Sequence, residues 1–268
     1  MEIAGLFHVH SVYSYDGELS LEEIIALAQK HKYRFVVLNE HPNEFSQEKY
    51  KELLANCQRL SSQDFCLLPG MEFACDNNCL HILALGLQDL TFENDPVKIL
   101  DFIRSQGGLA ILAHPYRKEA YKLTSHLLSK FAGIEIWNAR EDGKGMPKFQ
   151  NIKMLRRLRR EGYKLLGFGG LDLHNLKDFG LVKTIVKVKN LSAENLLKSF
   201  KEGNFYIKKG IFAVDSQGNI KYLGEYFYIL SRFLYASFKN IAKLIEKLFQ
   251  LLKIKPPEFM MKIARKLF

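Results

Sequence analysis

The sequence predicts an α/β protein built as a (β/α) barrel, and three observations predict it. Short apolar runs rich in β-branched residues alternate with segments of helical periodicity. Histidines and carboxylates fall at or just beyond the ends of those runs, from Phe7-His8-Val9-His10 to Gly170-Leu171-Asp172-Leu173-His174. No internal repeat and no low-complexity linker interrupts the chain before residue 225. Chemistry gathered at strand C-termini is the habit of such barrels.

The apolar runs cover residues 3–10, 35–39, 65–73, 81–86, 109–113, 133–137, 164–173 and 181–188, each short enough for a buried strand. Leu19-Ser20-Leu21-Glu22-Glu23 opens a helix with Ser20 as its N-cap and Ile24, Ile25, Leu27 and Ala28 on its buried face. Further helices are expected at about 46–61, 96–106, 120–131, 148–161 and 192–202. Arg156-Arg157-Leu158-Arg159-Arg160 is basic, but on a helix its charges spread around a solvated face, which argues against a nucleic-acid element. Residues 203–224, with Asp215-Ser216-Gln217-Gly218 as a turn, read as a closing hairpin.

Composition bounds the classes that remain. A chain of 268 residues with 47% hydrophobic and 25% charged residues is ordinary for a globular protein with a large core. Met1-Glu2-Ile3-Ala4-Gly5-Leu6-Phe7 runs straight into the first histidine pair, so no secretory leader is read and the cytoplasm is expected. Cys57, Cys66, Cys75 and Cys79 are too few and too irregular for a disulfide framework and are read as reduced thiols. Cys75-Asp76-Asn77-Asn78-Cys79 lacks a second Cys/His pair at structural-zinc spacing and reads as a loop.

The net charge of +10 is unevenly spread, with +6 in residues 225–268 and +4 before them. In that tail Phe227, Leu230, Leu234, Phe238, Ile241, Ile245, Leu248 and Leu252 recur at helical steps, Pro256-Pro257 interrupts them, and a second short helix is expected beyond. Arg232, Lys239, Lys243, Glu246 and Lys247 break every membrane-length window. The preferred reading packs this basic amphipathic extension on its own barrel or in a homo-oligomer; peripheral contact with an anionic membrane and nucleic-acid binding are the alternatives.

In an extended strand residues i and i+2 point to one side, so His8 with His10, and Asp172 with His174, each present two ligands to one place. A single buried histidine is most often a hydrogen-bonded core residue. Asp16, His41, Glu72, His81 and His114, each following an apolar run, turn the two pairs into a candidate metal centre. Imidazole and carboxylate without thiolate suit zinc, manganese or iron. Such ions, closely spaced, lower the pKa of bound water and polarise phosphoryl oxygens, which permits phosphoester hydrolysis without a nucleophilic side chain. His114-Pro115-Tyr116-Arg117 and Trp137-Asn138-Ala139-Arg140 place two guanidinium groups just past strand ends, where a planar fork suits phosphate oxygens; surface salt bridges are the competing reading.

His8-Val9-His10-Ser11, Ser14-Tyr15-Asp16-Gly17, Glu40-His41, Gly70-Met71-Glu72, Ala113-His114-Pro115 and Asp172-Leu173-His174, in that order, resemble the motifs of the polymerase and histidinol phosphatase (PHP) family of metal-dependent phosphoesterases. The match covers residues 1 to about 190. The resemblance implies a distorted (β/α)7 barrel of the PHP type over residues 1–224, followed by the helical extension 225–268. It also implies two or three divalent ions: a first held by His8, His10, Glu72 and Asp172, a second by Glu72, His81 and His114, and a third by Asp16, His41 and His174, with Glu72 bridging. The family often carries Asp where this chain has Glu40, one methylene longer, and varies between His and Asp at the position of Asp16.

The expected activity is hydrolysis of a phosphomonoester such as a nucleotide, a nucleoside bisphosphate or an oligonucleotide end. Glu72, Asp172, Arg117 and Arg140 are assigned to catalysis, and Arg117, Arg140 and Asn138 to the small phosphorylated substrate. A second reading is a phosphatase for histidinol phosphate or protein phosphotyrosine. A third is a non-catalytic, metal-stabilised binding module brought to a membrane or partner by its tail.

Overall fold

A computed structural model describes residues 1–75, 78–115, 123–142 and 146–221, together with the helical positions 230, 237, 245, 249 and 251. Apart from those positions the expected 225–268 extension lies outside the described residues, as do Arg117 and residues 120–122 of the segment expected as a helix at 120–131; in the described part of that segment the helix is α4, Ser125–Leu128.

Strands and helices alternate through the first half except for three strands in succession: β1 (Glu2–Val9), α1 (Leu21–Lys30), β2 (Phe35–Leu38), α2 (Gln47–Leu60), β3 (Cys66–Leu68), β4 (Gly70–Cys75), β5 (Leu80–Leu85), α3 (Pro96–Ser105) and β6 (Leu109–Leu112). After α4 come β7 (Gly133–Asn138), α5 (Phe149–Arg160), β8 (Leu166–Gly170), β9 (Lys183–Lys187), α6 (Ala193–Glu202), β10 (Phe205–Lys209), β11 (Phe212–Asp215) and β12 (Ile220–Lys221). Helix α1 starts where its sequence dictates. Ser20 Oγ accepts from the Glu23 backbone N–H at 3.2 Å while Glu23 Oε2 accepts from the Ser20 N–H at 2.8 Å, a reciprocal cap.

The strands form a seven-stranded sheet, β12-β11-β10-β9-β1-β2-β3, and a five-stranded sheet, β4-β5-β6-β7-β8. Neither closes on itself among the described residues, so the α/β class expected from the sequence is seen as two sheets. Pro69 splits the run expected at 65–73, and its two halves enter different sheets. Only four residues separate β4 from β5, so these strands pair antiparallel, a crossover to a parallel neighbour needing a dozen or more residues. The sheets meet at two seams, marked by the isolated parallel bridges Val9↔Leu173 and Glu40↔Met71. The closing hairpin is a three-stranded meander, with its first turn at Gly210 and its second at the expected Asp215–Gly218.

The core explains why the runs are so continuously apolar. Strands β5, β6 and β7 are buried at every position. Phe7, Phe168, Phe200 and Phe205 pack as an aromatic cluster, with Phe168 and Phe205 centroids 4.7 Å apart and Phe7 meeting Phe168 at 5.5 Å. Gly170 is required at the β1/β8 seam: a Cβ there would lie 2.4 Å from Phe7 O and 2.5 Å from His8 Cβ. Among the described residues no helix is long and apolar enough to cross a membrane.

Candidate metal centre

The nine side chains expected as ligands come together at the seams. His8 and His10 come from β1 and the residue after it, Glu72 from β4, His81 from β5 and His114 from the loop after β6. Asp172 and His174 follow β8, His41 follows β2, and Asp16 sits on the loop after His10. Their ligand atoms form three overlapping groups: His8, His10, Glu72 and Asp172; Glu72, His81 and His114; and His10, Asp16, His41 and His174. The first two are the expected sets, and the third gains His10.

Simple strand alternation is not how the pairs converge. His8 has φ 60 and Asp172 φ 54, left-handed conformations that non-glycine residues rarely adopt, and β1 slips register against β2 between Leu6 and Val9. His114, at φ 22, is strained as well. His81 departs from the strand-end rule: it is the second residue of β5, and the antiparallel pairing with β4 sets it diagonally beside Glu72.

Glu72 is the centre of the cluster. Oε2 lies 3.0 Å from His8 Nε2 and 3.3 Å from His10 Nε2, while Oε1 lies 2.6 Å from His81 Nδ1 and 2.9 Å from His114 Nε2. Asp172 Oδ1 is 3.5 Å from His10 Nε2 and 3.7 Å from His8 Nε2. Asp16 joins the other end, 3.2 Å from His174 Nε2 and 3.6 Å from His41 Nε2. His10 stacks between His41 and His174 at 4.4 and 4.1 Å. A cavity of about 400 Å³ opens over these groups, walled further by Tyr15, Asn43, Asn94, Arg140 and Glu141.

The electrostatics follow from burying carboxylates and imidazoles together. Burial alone would raise Glu72, but His8, His10 and His114 hold its carboxyl well below the usual range, and His8 and His10 do the same for Asp172. Burial opposes charge on His10, yet contacts with Asp172 and Glu72 outweigh it and lift the imidazole to about 9. His41, desolvated and beside His10, falls to about 4. His174 is lowered for the same reasons.

The donor set fits divalent cations. Both ring nitrogens of His10 and Oδ1 of Asp16 are buried without an aligned hydrogen-bond partner, a costly arrangement for protein alone. Glu72 and Asp172 are 1% and 3% exposed, and Arg140 is the one lysine or arginine lining the cavity among the described residues. His31 and His126 are exposed and join none of the groups. None of the four cysteines belongs to the three groups, and burial pushes Cys66 up to about 11.

Two of the residues assigned to substrate have other work in the structure. Asn138 is fully buried, and its amide nitrogen donates to Glu135 Oε2 at 3.0 Å and Asp172 Oδ2 at 3.1 Å, while its oxygen accepts the Arg140 and Glu141 N–H groups. Both hydrogens of its amide nitrogen thus face carboxylates beneath the site. Arg140 does line the cavity, but its Nη1 also meets His174 Nδ1.

Two carboxylates absent from the expected ligand set support it from behind. Glu40 accepts from the Ser11 N–H at 3.0 Å, the Ser11 hydroxyl at 2.6 Å and the Ser14 hydroxyl, so it clamps the loop that carries Asp16. Gly17 lets that loop close, since a Cβ there would meet Ser11 O at 2.0 Å. Glu135, in the apolar run Ile134-Glu135-Ile136, accepts from His8 Nδ1 at 2.9 Å and from the His114 N–H at 2.9 Å. A lone carboxylate inside a fully buried strand was the signal that could have found it.

No protein-family model matches the sequence, and no curated protein matches it significantly. Solved structures do share its fold. A two-domain protein from Bacteroides vulgatus, containing a predicted PHP-like metal-dependent phosphoesterase, superposes with a TM-score of 0.61 at 16% identity over 80% of this chain and 66% of that one. The lesion-specific endonuclease PfuEndoQ of Pyrococcus furiosus gives 0.56 at 15% identity over 80% of this chain and 59% of its own. PsfC from Pseudomonas syringae gives 0.54 at 14% identity over 74% and 88%. The chain spans less than two thirds of the first two proteins. Its fold is that of PHP-like metal-dependent phosphoesterases, the class its motifs resemble.

Proposed function

We propose that this chain is a PHP-family enzyme that hydrolyses phosphoesters with two or three divalent ions, zinc, manganese or iron, held by His8, His10, Asp16, His41, Glu72, His81, His114, Asp172 and His174. The observation that carries the reading is the sharing of Glu72 between two ligand groups and of His10 between two, all in one buried cluster under an open cavity. The phosphoesterase and endonuclease neighbours support the same class of reaction. The ring of β1, β2, β4, β5, β6, β7 and β8, joined at two seams by single bridges, supports reading the core as a distorted barrel of that family.

Ions bound here would polarise the phosphoryl oxygens and activate water. The chain's own residues do the rest. Glu72 and Asp172 supply the negative charge that lets cations sit close together, and the buried imidazoles keep that charge directed inward. Arg140, at the cavity wall, offers its guanidinium to a phosphate oxygen once it leaves His174. Arg117 is assigned the same task from the sequence. The proposed substrate is a phosphomonoester such as a nucleotide, a nucleoside bisphosphate or an oligonucleotide end.

The test is metal content of the purified protein followed by a phosphoester screen that includes a phosphodiester. Hydrolysis dependent on added metal is expected, abolished in Glu72→Gln and Asp172→Asn with the fold intact. His31→Gln and His126→Gln should keep wild-type metal content. More than a few per cent residual activity in both carboxylate variants would contradict the assignment, and bound metal without cleavage of any ester would favour a binding module.

A further inference from the structure

Glu135 has no exposed surface, and among the described residues neither lysine nor arginine pairs with it. A buried carboxylate in that position is costly unless its oxygens are fully hydrogen-bonded. They are. Oε1 accepts from His8 Nδ1 at 2.9 Å, and Oε2 accepts from the His114 backbone N–H at 2.9 Å and from Asn138 Nδ2 at 3.0 Å. Asn138 Nδ2 reaches on to Asp172 Oδ2 at 3.1 Å.

We propose that Glu135 is a positioning residue for the metal centre, holding ligands of the first two groups in register through one carboxylate. This rests on the metal-dependent reading above. Because an ionised carboxylate only accepts, His8 must present Nδ1–H to Glu135, which leaves Nε2, 3.0 Å from Glu72 Oε2, as the nitrogen facing the cluster. The second oxygen holds the backbone of His114 in its strained conformation at φ 22. Through Asn138 the same oxygen is linked to Asp172. One side chain on β7 thus reaches residues after β6 and after β8 in its own sheet and a residue of β1 in the other.

Glutamine separates this role from simple space filling. It has nearly the same shape but one acceptor oxygen, so its NH2 must face either His8 Nδ1–H or the paired donors of His114 and Asn138. The second choice sets donor against donor, and the first does so unless the His8 proton moves to Nε2, the nitrogen that faces the cluster. A buried partner behind a ligand typically tunes metal affinity by about 10- to 100-fold.

The experiment is calorimetric titration of metal-free protein with Zn²⁺ and with Mn²⁺, alongside urea unfolding of the same metal-free samples. Glu135→Gln is expected to bind about 10- to 100-fold more weakly than wild type, and Asn138→Ala about tenfold more weakly. Leu158→Ala, a cavity in the core at a residue 2% exposed, should lower stability and leave metal affinity unchanged. Wild-type affinity in Glu135→Gln, or an equal loss in Leu158→Ala at matched stability, would overturn the proposal. If Glu135→Gln does not fold, unchanged affinity in Asn138→Ala overturns it. Absence of binding by wild type would instead overturn the metal-centre reading, and this inference with it.

Discussion

Ser14→Ala tests whether the loop carrying Asp16 is clamped as strongly as its contacts imply. Ser14 is 4% exposed; its hydroxyl donates to Glu40 and accepts from the His41 backbone N–H at 2.9 Å. Alanine removes a bond to a charged acceptor and leaves the His41 N–H unsatisfied at a buried site. Each loss costs roughly 1.5 to 3 kcal/mol, and Glu40 keeps its two Ser11 donors, so a net destabilisation of about 3 kcal/mol is expected. For a body of this size that corresponds to a fall in Tm of about 6 to 12 °C. Urea unfolding of metal-free protein measures it, with the m value expected to stay constant. A change below about 0.5 kcal/mol, the range of ordinary surface substitutions, would refute the clamp.

Three further outcomes are expected. Arg140→Lys should lower kcat/KM roughly tenfold through loss of one charge-assisted bond of about 1.5 kcal/mol, with metal content preserved, and Arg117→Lys should act likewise; unaltered steady-state kinetics in both would return them to salt bridges. Metal-free protein should be most stable near pH 6.5: His10, raised to about 9, contributes stability present below pH 6.5 and lost as pH climbs to 9, while His41, lowered to about 4, removes stability as pH falls from 6.5 to 4. Chemical unfolding across pH 4 to 9 checks this, and a monotonic rise through that range would contradict it. Truncation after Gly224 should reduce solubility, thermal stability or oligomeric state at any ionic strength if the tail packs by apolar burial. A stable, active truncated protein that has lost only its cosedimentation with anionic vesicles would favour the membrane reading.

The ligand cluster was legible because its chemistry is concentrated in residue types that seldom end apolar runs by chance. Nine residues named from the sequence meet in three groups. The helices were legible from their caps, as Ser20 and Glu23 illustrate. What escaped the sequence was the path of the sheets. The seven residues between the runs expected at 65–73 and 81–86 are too few for a parallel crossover, and the (β/α) pattern does not announce the antiparallel pair β4 and β5 that results. The left-handed turns at His8 and Asp172 were invisible: both residue types reach that region more readily than most, but only a small minority of them do, and no turn residue beside them signals it. Glu135 was missed, and the contacts of Asn138 were not foreseen, for one reason: a polar residue next to a site looks the same in sequence whether it faces substrate or supports a ligand from behind.

The most direct test of the metal-dependent account is the metal-to-protein ratio after loading and desalting, compared between wild type and Glu72→Gln. Because Glu72 belongs to two of the three ligand groups, wild type should retain at least two divalent ions per chain and the variant no more than one. Wild type that holds no metal, or a folded Glu72→Gln protein that holds as much as wild type, would contradict it.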